Sequence, residues 1–392
     1  MPGKREGHGS NHLWVLVIIC VINSMGFGII VPLLYSYGKQ FGITEQTLGL
    51  LTAAFSVAQF FATPLLGSLS DKWGRKPVLV ISLIGTCISF ILFAQARSII
   101  MLFAARILDG LTGGNISVAQ AMVSDISDEK NRAKNFGILS SAFGFGFVAG
   151  PAIGGVLSKY GQHTPFYFAA GIALTGVLLT LFFLKETNTH KDAKQKYHFN
   201  YAWLATIFKE KVIGICILIS FLLTMAQFAM IVGFQTFTTD ELKLSPTQTG
   251  LFYAGFGVTG IIMQLLVPFF TKTLKSKSFI LLLSTLVCLA MMALSGFANG
   301  LMLFAIAIGI YGLFNGLRNP MLNAIIADHT AEDEQGKVLG INQSYISIGQ
   351  TLGPVTAGFI TAISLHSIFF LASLYILAAF LLSFRLRSQE PN

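Results

Sequence analysis

The feature that most constrains this chain is a succession of apolar runs, each about as long as a bilayer is thick. Twelve are read along the 392 residues, at 13–35, 47–69, 77–96, 99–124, 135–157, 164–184, 212–237, 247–270, 278–298, 301–327, 337–363 and 368–384. A helix crosses the hydrocarbon layer with roughly 20 apolar residues. In lipid every backbone polar group must be satisfied within the chain, which leaves helices or closed barrels. The runs are continuous rather than alternating, so they predict helices. With 54% apolar and 11% charged residues, against about 25% charged in a soluble domain, a soluble enzyme, a disordered chain and a disulfide scaffold are excluded. The first run is too long for a cleaved signal peptide, has no small-x-small site after it and contains Pro32, so it is read as the first span.

The net charge of +9 would suit a nucleic-acid binder, but its distribution points to a membrane. With the N-terminus placed in the cytoplasm, the inner tails and loops hold 20 of the 26 Lys and Arg residues. The outer loops hold four, Lys39, Arg97, Lys159 and Lys243, and Arg106 and Arg318 fall inside spans. That bias sets both termini on the cytoplasmic side and supports the count of twelve spans; the membrane is expected to be an inner, cytoplasmic one. No nucleic-acid partner is expected. Cys20, Cys87, Cys216 and Cys288 lie in apolar runs without metal-ligand spacing and read as packing residues.

One long polar stretch, 185–211, divides the chain into an N-terminal six-helix bundle at 1–184 and a C-terminal six-helix bundle at 212–392. The two are related in sequence. Shifted by 203 residues, 113–155 matches 316–358 without a gap at 12 of 43 positions, where chance gives about three. Asp125, Glu129, Lys134, Gly150 and Pro151 meet Asp328, Glu332, Lys337, Gly353 and Pro354, and charged matches in register are not a by-product of apolar composition. The fold class is therefore all-α integral membrane, with twelve helices in two parallel-repeat bundles, and repeats of this kind place a substrate site at the repeat interface near the midplane.

Charges inside spans are costly and are functional candidates by default. Arg106 and Asp109 in the fourth run are three residues apart and share a helix face. Desolvation opposes the carboxylate's charge while the guanidinium favours it, so Asp109 is a candidate proton carrier tuned by Arg106. A static ion pair is the alternative. Arg318 in the tenth run has no acid beside it and is suited to an anionic or acceptor-rich group on a substrate.

Three motifs carry a resemblance. The stretch after the second run, Gly67-Ser-Leu-Ser-Asp71-Lys-Trp-Gly74-Arg75-Lys76, fits G-x-L-x-D-[RK]-x-G-R-[RK] at every defined position. The fifth run carries Gly146-x-x-x-Gly150-Pro151-x-x-Gly154-Gly155, and the first and fourth carry Met25-Gly26-Phe27-Gly28-x-x-x-Pro32 and Arg106-x-x-Asp109-Gly110. On these residues the chain resembles the major facilitator superfamily, in particular its twelve-helix drug–proton antiporter branch with the tetracycline antiporters. The resemblance covers nearly the whole chain.

It implies a small-molecule exporter driven by protons. In that reading Arg75 pairs with Asp125, and Asp71 faces the N-terminus of helix 11, so that Gly67, Asp71, Gly74, Arg75 and Asp125 form a cytoplasmic gate. The glycines and Pro151 of the fifth run seal the halves. Spans 1, 4, 7 and 10 line the cavity, which brings in Asn23, Asn115, Gln227, Gln235, Asn315 and Arg318. The branch often carries acids in spans 1, 3 and 9. This chain has Asn23 in the first and no acid in 77–96 or 278–298, which leaves the proton to Asp109. The matching loop of the second half, 271–277, keeps Lys272, Lys275 and Lys277 without an acid or a glycine, so a second latch is expected to be absent. No cofactor, metal or nucleotide loop is expected, and the chain is read as a monomer. A metabolite symporter or uniporter, and a non-transporting scaffold or receptor, are the other readings of the same fold.

Overall fold

The computed structural model describes residues 6–127, 129–188, 211–274, 276–331, 335–361 and 363–387. Among these the chain forms fourteen α-helices: α1 (Glu6–Gly38), α2 (Glu45–Trp73), α3 (Arg75–Ala94), α4 (Ile99–Thr112), α5 (Asn115–Ile126), α6 (Glu129–Leu157), α7 (Thr164–Phe183), α8 (Lys211–Thr236), α9 (Pro246–Leu265), α10 (Val267–Leu274), α11 (Lys277–Ser295), α12 (Leu301–Asp328), α13 (Gln335–Ile360) and α14 (Ser367–Arg387). Most of the polar stretch 185–211 lies outside the described residues.

Ten spans of helix are long and apolar enough to cross a membrane, and eleven if the bent pair α9–α10 is one span. This is a multi-pass integral membrane protein. The remaining expected span, 337–363, is the 26-residue helix α13. Asn342, Gln343, Ser344, Ser347 and Gln350 dilute its hydropathy, which keeps it outside that set.

Three expected segments differ in detail. The fourth is broken at Gly113–Gly114 into α4 and α5, where the Gln59 amide donates to the Gly113 carbonyl at 3.2 Å and Ser82 donates to that of Thr112. Two adjacent glycines weaken the helix, and side chains from neighbouring helices take up carbonyls that the break releases. The eighth is bent by 46° between α9 and α10. Pro268 follows the bend directly; it has no N–H and its ring clashes with the carbonyl four residues back. The motif after the second segment is not a loop. Gly67–Trp73 complete α2, Arg75 begins α3, and Gly74 alone joins them.

The chain divides into two compact units. The first comprises Met1–Gly42, Val57–Tyr197 and Ser245–Ala254, and the second Ile43–Ser56, His198–Leu244 and Gly255–Asn392. In the first, α1 packs mainly on α6 and α7, and α3 on α7 and α4; in the second, α8 packs on α13 and α14, and α11 on α12 and α14. The same packing scheme thus occurs twice, as the sequence repeat requires. The first unit buries a core of Leu16, Ile19, Leu79, Leu83, Val118 and Met122. The second buries Phe234, Phe237, Phe304 and Phe369, whose ring centroids lie 4.7–6.0 Å apart in tilted and edge-on pairs.

Candidate functional site

The candidate residues fall into separate clusters. The first lies where α2 turns into α3. Gly74 has φ +109°, a conformation that costs a side chain dearly, and a Cβ there would collide with the Glu186 carboxylate. That space is used. Glu186 accepts the backbone N–H of Arg75 at 2.8 Å and of Lys76 at 3.2 Å, capping α3, and those of Thr187 and Asn188 at 3.0 Å each. Arg75, at the start of α3, reaches Asp71 Oδ1 at 2.5 Å and Asp125 Oδ2 at 3.2 Å, and donates to Ser70 Oγ at 2.7 Å. Thr187 donates to Asp125 at 3.0 Å, and Asn188 to the Asp71 carbonyl at 2.9 Å. The ends of α2, α3 and α5 and the stretch of chain after α7 are thus tied into one polar knot. Gly67, one turn before Asp71, has open space where a Cβ would go.

Glu186 is the residue that sequence reasoning missed. Its only signal was an acid just past the sixth apolar run, with no motif of its own.

The second unit keeps more of this arrangement than its sequence suggested. Asp328, the repeat mate of Asp125, pairs with Lys277 at 2.5 Å and joins the ends of α11 and α12. An ion pair therefore stands at the place that matches Asp125. The acid and glycine of the motif are missing, but a lysine at nearly the equivalent place supplies the cation. Lys275 lies outside the described residues.

The second cluster is the buried pair on α4. Arg106 is 1% exposed and Asp109 5%. Arg106 Nη1 stands 3.7 Å from Asp109 Oδ2, an ion pair longer than a charge-assisted hydrogen bond. The guanidinium carbon lies 6.0 Å from the centre of the Phe27 ring on α1, within cation–π range. Asp109 sits one turn before the α4–α5 break.

Asn23 and Asn115 meet each other. Each amide nitrogen donates to the other's oxygen, at 3.0 and 2.8 Å, a closed pair between α1 and α5. Gln235 is buried on α8 and donates to the Ile231 carbonyl at 3.4 Å. Gln227 is half-buried on the same helix, and Asn315 and Arg318 lie on α12. Asn23 and Asn115 belong to the first unit, and Gln227, Gln235, Asn315 and Arg318 to the second.

The glycines of α6 let backbones touch. A Cβ on Gly150 would stand 2.5 Å from the Met25 carbonyl oxygen, one on Gly146 would meet Ser24, and one on Gly154 would lie 3.2 Å from Ile29 Cα. Gly28 on α1 answers them, since a Cβ there would stand 2.9 Å from the Pro151 ring. Gly155 points elsewhere, to Gly250 at the start of α9, within the same unit. Glycine at these points permits an approach that any side chain would block. In the second unit Gly349 and Gly353 of α13 press on Phe221 and Met225 of α8 in the same way.

Comparison with known proteins places these features in a family. The model of the Major Facilitator Superfamily matches residues 16–272 and 216–392. The chain is 28% identical over 357 residues to the quinolone resistance protein NorA of Staphylococcus aureus, covering 89% of each chain. It is 29% identical over 356 residues to the class B tetracycline resistance protein of Escherichia coli, covering 87% of this chain and 86% of that one. In structure it is similar to a bacterial homologue of the human lysosomal transporter Spinster, with a TM-score of 0.82 at 15% identity and 99% of both chains covered.

Proposed function

The chain belongs to the major facilitator superfamily and is a membrane transporter, not an enzyme; on that premise we propose that it exports a small amphipathic compound in exchange for protons by alternating access. The resistance proteins it resembles support export of drug-like molecules. The observation that carries the proton coupling is Asp109. It is the only buried carboxylate among the described residues, and its ion pair with Arg106 is long.

As a carboxylate, Asp109 neutralises Arg106. On taking up a proton the pair passes from zero net charge to +1, and the guanidinium loses its counterion in a low-dielectric site. Arg106 is then drawn to another acceptor, and the α4–α5 break one turn away is the joint that can yield. Proton binding and conformation are thereby coupled through one helix.

In this reading both termini are cytoplasmic, the protein is a monomer of the inner membrane, and the halves 1–184 and 212–392 are its two bundles, joined by 185–211. The knot of Gly67, Asp71, Gly74, Arg75 and Asp125 lies on the cytoplasmic side and acts as the gate. Gly146, Gly150, Pro151, Gly154 and Gly155 seal against leak, and Asn23, Asn115, Gln227, Gln235, Asn315 and Arg318 line the substrate path.

The test is made in proteoliposomes carrying an imposed pH gradient and an internal pH dye, with fluoroquinolones, tetracyclines, lipophilic cations and organic anions offered in turn. Substrate-dependent proton movement in the opposite sense to the substrate is expected in the wild type and is lost in Asp109→Asn. Movement of protons and substrate in the same sense would replace antiport by symport. Undiminished coupling in the variant would remove Asp109 from its role.

A further inference from the structure

The second unit holds a buried guanidinium that its surroundings leave largely unmatched. Arg318 is 2% exposed. Its Nη2 donates to the Leu223 carbonyl of α8 at 3.3 Å, while Nε and Nη1 have no hydrogen-bond partner. One and two turns earlier on the same face of α12 stand Asn315 and Tyr311. Asn315 Oδ1 and the hydroxyl of the fully buried Tyr311 are also without a hydrogen-bond partner. The guanidinium interacts with that hydroxyl and with the Cys288 thiol on α11, and neither is a carboxylate.

Among the described residues no carboxylate forms an ion pair with Arg318. Asp328 at the end of α12 is already bound to Lys277, and ten residues of helix put it about 15 Å away, half the thickness of the hydrocarbon layer. The repeat sharpens the contrast. The mate of Arg318 under the 203-residue shift is Asn115, which is closed off by its reciprocal bonds to Asn23. One unit fills this position with a satisfied amide pair. The other fills it with a charge, and sets an unsatisfied amide oxygen and an unsatisfied hydroxyl on the same face. An unpaired buried cation is among the costliest features a membrane protein can keep.

We propose that Tyr311, Asn315 and Arg318 form an anion subsite that binds the carboxylate of the transported compound. The free edge of the guanidinium, Nε and Nη1, offers the two parallel donors that a carboxylate takes bidentately. The Tyr311 hydroxyl is a third donor. Asn315 Oδ1 takes a hydroxyl or N–H of the same ligand, and Asn315 is half-buried where the others are fully buried. The substrate class is an organic carboxylate with an apolar body and a neighbouring donor. The assignment rests on the transport reading, since it names the substrate of that path.

The test uses purified full-length protein and two fluorescent probes of the same shape, dansylglycine and its neutral amide, dansylglycinamide. The wild type is expected to bind the carboxylate at least about tenfold more tightly, the scale of a charge-assisted pair. Arg318→Gln removes that preference and leaves affinity for the amide unchanged. Arg318→Lys restores part of it, and Tyr311→Phe lowers it about threefold to tenfold. A wild type without the preference, or a preference that survives Arg318→Gln, overturns the proposal. Displacement of the probe by chloride at tens of millimolar overturns it in favour of an inorganic anion. Failure of the transport reading looks different: the Arg318-dependent preference persists in solution, while no compound in proteoliposomes moves with or against protons.

Discussion

Gly74 shows at the scale of one residue why a motif needs its letters. Its φ of +109° makes the one-residue joint between α2 and α3, and the missing side chain leaves room for Glu186. A strained backbone position costs about 1–3 kcal/mol when a side chain is added, so Gly74→Ala should lower the thermal midpoint in detergent and slow transport. Glu186→Ala removes the acceptor for the first N–H groups of α3, a loss of about 0.5–2 kcal/mol. The two changes should be less than additive, because the second removes the group that the first collides with; a double-mutant cycle on unfolding measures the coupling. Additive costs would mean that the carboxylate is not what excludes a side chain at Gly74. Asp71 and Arg75 were legible in the sequence because they stand in a fixed pattern, and Asp125 because the resemblance implied an acid at the inner end of the fourth span. Glu186 was not legible, since an acid at the end of an apolar run is also what any loop would carry.

At the scale of elements, the apolar runs specified the helices but not where two of them give way. The fourth and eighth spans break where adjacent glycines or a proline remove local support, and an average over 20 apolar residues does not register a single weak link. Close contact by α6 was readable, because small residues at Gly146, Gly150 and Gly154 fall on successive turns, but that its partner is α1 shows only in the structure. Their consequence can be measured within one helix. Gly150→Ala would place a Cβ 2.5 Å from the Met25 carbonyl and should destabilise by about 1–3 kcal/mol through forced separation of the helices. Gly137→Ala, on the same helix with nothing within 4 Å of the new Cβ, should be neutral or stabilise by up to about 1 kcal/mol, as expected where glycine only weakens a helix. Equal destabilisation by both would show that close approach is not what the motif provides.

At the scale of the whole molecule, the repeat announced two halves of common descent, and the same scheme of helix packing occurs in both units. What the repeat did not announce is their chemical inequality. Among the described residues the first unit holds a buried acid beside a buried base, and the second a buried base with no acid paired to it. Whether a polar residue inside a span is satisfied depends on which neighbours the fold brings to it: Arg318 stood out in the sequence as a charge with no acid beside it, whereas the closure of Asn115 on Asn23 shows only in the structure. In the proposed transport cycle this inequality divides the labour: Asp109 moves the proton, and Arg318 holds the cargo. The most direct measurement compares gradient-driven flux with substrate counterflow in the same Asp109→Asn proteoliposomes. Counterflow, which needs binding and alternation but no proton, is expected to persist, while accumulation driven by a pH gradient is expected to be lost. Gradient-driven accumulation at the wild-type level in Asp109→Asn would contradict the assignment of the proton to Asp109.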